Sequence, residues 1–129
     1  MEDKSERRRE QRLRYQWPVW FAEDLNGILS QGQMVDVSSG GAAFTCYADK
    51  CCPYPGQHIT ARISVPFYHA DASFDVDEFI QAGSVCRIDS LPNGQRRIAM
   101  KFFHPLPFKP GEHANKQFES GLYPQCIMA

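Results

Sequence analysis

Residues 58–65 alternate strictly in polarity. Ile59, Ala61, Ile63 and Val65 are apolar, and His58, Thr60, Arg62 and Ser64 between them are polar. A period of two sends successive side chains to opposite faces of an extended chain, so this segment reads as a strand with one face buried and one wet. Residues 96–103 repeat the pattern, with Ile98, Met100 and Phe102 inward and Arg97, Ala99 and Lys101 outward. Such strands have to be joined by turns. Asn26-Gly27, the run from Ser38 to Gly41, and Leu91-Pro92-Asn93-Gly94 supply them. Nine Gly and nine Pro among 129 residues favour short strands over long helices.

The remaining strands follow from the spaces between turns. Residues 17–22 form an aromatic strand with Pro18 at its start, where proline is tolerated. Residues 27–37 read as one extended strand, with Met34 and Asp36 on one face and Val35 and Val37 on the other. Residues 42–47 return, Phe44 and Cys46 sharing a face, and residues 79–89 form a long strand bent near Gly83. Residues 66–78 read as an irregular acidic stretch. Six antiparallel strands without a helical crossover close most simply into a barrel, which leaves no open edge. The fold class is therefore all-β, a six-stranded antiparallel β-barrel over residues 15–104. A flexible basic arm precedes it over 1–14, and a short tail that can carry a helix over 112–119 follows it over 105–129. Trp17 and Trp20 are assigned to core or barrel-end packing.

Charge is distributed unevenly. Residues 1–14 carry a net charge of +2 and include five of the nine arginines, whereas the rest of the chain carries −3. A cationic arm on a mildly acidic body suits a discrete anionic partner better than a long polyanion. Two runs can form its site. The first, Arg8-x-x-x-Arg12, supplies planar guanidinium groups that grip phosphate, meet the acceptors of guanine or stack on a base. The second, Asp36-x-Ser38-x-x-Gly41, puts short polar side chains at a strand end. Gly40 and Gly41 there permit positive φ and an anion-binding concavity of main-chain N–H groups. Asp36 has two roles open to it: accepting from a guanine edge, or orienting an arginine of the arm.

These two motifs in this order, on six β-strands, resemble the PilZ domain over roughly residues 7–103. The strand after Pro55-Gly56 and the final run Arg97-Ile98-Ala99-Met100-Lys101-Phe102 fit the same pattern. The resemblance implies a receptor for the bacterial second messenger cyclic di-GMP. By that resemblance Arg8 and Arg12 wrap the ligand, Arg7 adds a contact, and Asp36, Ser38, Gly40 and Gly41 form the barrel side of the site. It implies a sensor or adaptor whose arm orders on binding and signals to a partner protein, with no cofactor and no metal.

Other chemistry finds little support. There is no Gly-x-Ser-x-Gly, P-loop or convincing catalytic triad, so an enzyme is not expected. Cys51-Cys52 lacks a Cys-x-x-Cys spacing or a nearby His pair, and the acidic stretch lacks the ligand spacing of an EF-hand. No apolar run reaches the ~20 residues of a membrane span, and no apolar run follows the N-terminal arginines as in a signal peptide. A cytoplasmic protein with mostly free thiols and no membrane insertion is expected. Two alternatives stay open: a module of the same fold that docks on a protein without the nucleotide, and a small barrel binding single-stranded nucleic acid. The acidic remainder of the chain counts against the second.

Overall fold

The computed structural model describes residues 10–24, 26–68, 71 and 73–111. Arg7, Arg8 and the tail helix expected over 112–119 lie outside the described residues. Seven strands follow one another: β1 (Leu13–Arg14), β2 (Pro18–Ala22), β3 (Ser30–Val37), β4 (Gly41–Tyr47), β5 (His58–Tyr68), β6 (Phe74–Ser90) and β7 (Gln95–Phe102). They pair antiparallel in the order β1-β3-β2-β5-β6-β7-β4, and a further β3–β4 pairing closes β2 to β7 into a six-stranded barrel. The six-stranded barrel read from the sequence is thus the fold, with β1 as an extra strand. Among the described residues no helix is long and apolar enough to cross a membrane.

The alternation that defined the strands also fills the barrel. Ile59, Ala61, Ile63 and Val65 of β5 are buried, as are Ile98, Met100 and Phe102 of β7. Phe44 of β4 is fully buried at the centre, its ring 4.8 Å from that of Phe21 on β2. Trp17 packs against this core, whereas Trp20 points outward from β2 and is 37% exposed. The β6–β7 hairpin turns through Asn93 and Gly94, both at positive φ. An Asn-Gly pair adopts that conformation most readily.

Two features were not legible in the sequence. The stretch 66–78, read as irregular, is mostly strand. β5 and β6 continue as a two-stranded ribbon through the pairs Val65–Asp77, Pro66–Val76 and Phe67–Asp75. Aspartate lowers strand propensity and so hid the ribbon. Pro66 fits because β2 pairs with β5 only as far as Arg62, which leaves this part of β5 an edge. Leu13 and Arg14, read as the end of the arm, pair with Val37 and Asp36 of β3. Leu13 is buried to 1% exposure and anchors them.

Tyr15 fastens this entry segment further. Its hydroxyl donates to the Ser64 carbonyl at 2.8 Å, on β5 beyond the last β2 pair. Burial, with the Asp36 charge second, pushes its hydroxyl pKa well above the usual phenol range, so it remains a donor. Tyr15→Phe removes the donor and leaves the carbonyl unpaired. Urea unfolding is expected to report a loss of about 1 kcal/mol.

Candidate functional site

Two β-bulges build the site. Between Met34 and Asp36 the β3–β4 register shifts by one residue, so Met34 faces Phe44 while Asp36 faces Ala43 and Val37 faces Ala42. Met34 and Val37 therefore share the inward face, and Asp36 turns to the outer one. The expectation that Met34 and Asp36 share a face is corrected by this inserted residue, since a single insertion reverses the parity of everything after it. A second shift between Val85 and Arg87 on β6 sets Arg87 opposite Ala99 of β7.

The result is a continuous row across five strands. Arg14 pairs with Asp36, Asp36 with Ala43, Ala43 with Ala99, and Ala99 with Arg87. Methyl side chains lie at the centre of the row and charged ones at its ends. The row floors a cleft of about 790 Å³, whose wall also includes Glu10, Arg12, Asp89 and Arg97. Such a floor lets a flat ring lie against the sheet while guanidinium groups meet charge at the sides.

The two sequence motifs meet here. Arg12 Nε donates to Asp36 Oδ1 at 2.8 Å, and its Nη1 donates to Ser38 Oγ at 3.2 Å. Of the two roles open to Asp36, the contact made is therefore with the arm's arginine. Arg97 Nη2 approaches the other carboxylate oxygen at 3.6 Å, so Asp36 is shared between two cations. Arg12 still has donors to spare, because guanidinium carries five N–H groups.

Gly40 and Gly41 do not act as expected. Neither adopts positive φ; among the described glycines only Gly56 and Gly94 do. Gly41 is required for another reason: a Cβ there would lie 2.5 Å from the Met100 carbonyl oxygen across the β4–β7 pair. Gly40 meets nothing within 4 Å. Two of the turn's main-chain donors are also engaged internally. Ser38 N–H donates to the Gly41 carbonyl at 2.8 Å and Gly40 N–H to Ser38 Oγ at 3.3 Å.

Sequence reasoning missed Arg14, Arg87, Arg97 and Glu10. Arg97 had been placed on an outward face, but only the β4–β7 adjacency reveals that this face overlooks Ala43. Arg87 was hidden by its bulge. The segment after β7 also reaches the site: Leu106 N–H donates to the Ser39 carbonyl at 2.7 Å, and Gly111 abuts the main chain of Gln11. The cysteines stand apart. Burial, followed by the neighbouring Cys52, pushes the Cys46 thiol up to about 12, which keeps it protonated. Among the described residues no cluster of three or more His, Cys, Asp or Glu could hold a metal ion.

Comparison with known proteins gives a family and a fold. The family model described as PilZ domain matches residues 6–117. No curated protein matches the chain. Among solved structures, the Bacillus subtilis inhibitor of motility MotI/DgrA is similar in fold, with a TM-score of 0.63 at 14% identity over 88% of this chain. The chain spans 51% of that protein's length. The PilZ domain of CeSA from a cellulose-synthesizing bacterium has 22% identity and a TM-score of 0.47, covering 72% of this chain and 80% of that one.

Proposed function

This chain belongs to the PilZ domain family, and from that premise we propose that it is a sensor that binds cyclic di-GMP in the cleft between its arm and the β3–β4–β7–β6 wall. PilZ domains are a family of cyclic di-GMP receptors and adaptors, binding modules rather than enzymes. The observation that carries the reading is the contact of Arg12 with both Asp36 and Ser38, which joins the two motifs in one site.

In this reading guanine rings lie over Ala43 and Ala99, and the phosphates meet the guanidinium groups of Arg12, Arg14, Arg87 and Arg97. Arg7 and Arg8 close over the ligand from the other side. Fixing the backbone of each further arm residue that closes over the ligand costs on the order of 1–2 kcal/mol. Only contacts made in the closed state offset that cost, so the closed arm exists as a surface only with ligand present. A partner protein reads that surface in the cytoplasm. The packing of the segment around Leu106 against the Ser39 turn supports a route from the site to the C-terminal side of the barrel.

Isothermal titration calorimetry with cyclic di-GMP tests the reading and gives the stoichiometry. The parent protein is expected to bind. Arg97→Ala, at a residue 44% exposed in its side chain, is expected to bind about tenfold more weakly with a smaller loss of melting temperature than Arg12→Ala. Absence of binding by the parent at high ligand concentration would sink the proposal and favour a nucleotide-free docking module. Tight, steeply salt-dependent binding of generic oligonucleotides would point instead to nucleic acid.

A further inference from the structure

Ser39 stands at a position that neither motif specifies, yet both its donors go to one side chain. Its main-chain N–H donates to Glu10 Oε2 at 2.7 Å and its hydroxyl to Glu10 Oε1 at 2.6 Å. The neighbouring N–H groups of Ser38 and Gly40 are already taken within the turn. The concavity that such a turn offers to an anion is therefore filled by a carboxylate of the arm itself. Two residues later Arg12 grips Asp36 and Ser38, so the arm is fastened at two points to the same short run of β3 and its turn. The cleft is open while this contact is made, and Glu10 lies in its wall.

We infer that Glu10 is a positioning residue for the ligand site: its carboxylate occupies the turn's anion position and holds Arg12 ready at the cleft. A ligand can enter without displacing it, and its phosphates are left to the guanidinium groups rather than to the turn. Every residue held before the ligand arrives is one whose ordering the ligand need not offset. The inference rests on the cyclic di-GMP reading, but the fastening itself can be measured without ligand.

The test compares the full chain with Glu10→Ala and Glu10→Gln, the latter able to accept from the Ser39 N–H and donate to its hydroxyl. Calorimetry with cyclic di-GMP is expected to show Glu10→Ala about tenfold weaker and Glu10→Gln within about threefold of the parent. In ligand-free protein, tryptic cleavage after Arg12 is expected to accelerate about tenfold in Glu10→Ala but not in Glu10→Gln, as local opening becomes easier. If Glu10→Ala binds as tightly as the parent or more tightly, or if cleavage is unaltered, the inference is overturned; tighter binding would make Glu10 a competitor of the ligand. If the parent binds no nucleotide, the cyclic di-GMP reading fails and cleavage alone decides the fastening. If Glu10→Ala does not unfold cooperatively, Ser39→Ala, which keeps the main-chain donor, replaces it and is expected to shift cleavage in the same direction.

Discussion

Arg12→Ala is expected to weaken cyclic di-GMP binding about a hundredfold, by removing charge-assisted bonds and the arm's attachment together. It should also destabilise the ligand-free protein. Asp36 is buried, with a side chain only 9% exposed, and Arg12 is its close partner at 2.8 Å. Without Arg12, Arg97 at 3.6 Å is the cation left beside that carboxylate among the described residues. Breaking a fully buried pair costs about 3–5 kcal/mol. Arg12 is 34% exposed and Arg97 remains, so about 2 kcal/mol is expected here. Arg12→Lys should recover little of the binding, because one ammonium cannot reach two acceptors as a planar fork does. Calorimetry gives the affinity and a thermal melt without ligand gives the stability. Parent-like affinity in Arg12→Ala would remove Arg12 from the site.

The barrel was legible because its information is local. The inward residues of β5 and β7 are the apolar members of an alternating pair, and the Asn93-Gly94 turn is written in two residues. The site was legible only where it coincides with a motif. Asp36 was found, but its face was misread, since a bulge at Val35 leaves no mark in composition and reverses parity for the residues that follow. Arg87 was lost to the second bulge. Arg97 and Ala99 looked like solvent-facing residues of a last strand, and became a wall and a floor once β7 lay beside β4. Glu10 was invisible for another reason. A carboxylate within an arginine run reads as charge balance, and only its position over Ser39 shows what it holds.

These cases share a cause. Polarity patterns report which face a residue takes within its own strand, whereas a binding site is a relation between strands. The row from Arg14 to Arg87 draws on five strands, and no single segment carries it. The two glycines of the turn show the same difference at single-residue scale, and they can be separated by substitution.

Gly41→Val is expected to cost about 3 kcal/mol and to lower the melting temperature by roughly 10 °C, whereas Gly40→Ala should leave both unchanged. Nothing lies within 4 Å of a Cβ at Gly40, and Gly40 is exposed. A Cβ at Gly41 would meet the Met100 carbonyl oxygen at 2.5 Å, a backbone atom that cannot rotate away. Relief requires β4 to move off β7 at the pair Gly41–Lys101. That movement strains the bond from Phe102 N–H to the Gly40 carbonyl, 2.8 Å long, and the bond from Ser38 N–H to the Gly41 carbonyl. Because Ser38 also receives Arg12, the damage reaches the cleft, and ligand affinity should fall with stability. Had Gly41 been needed for positive φ, alanine there would be penalised by backbone strain at any strand separation. With φ ordinary, the penalty is steric and should grow from Gly41→Ala to Gly41→Val. Equal melting temperatures for those two variants would refute close strand approach as the reason for glycine in this motif.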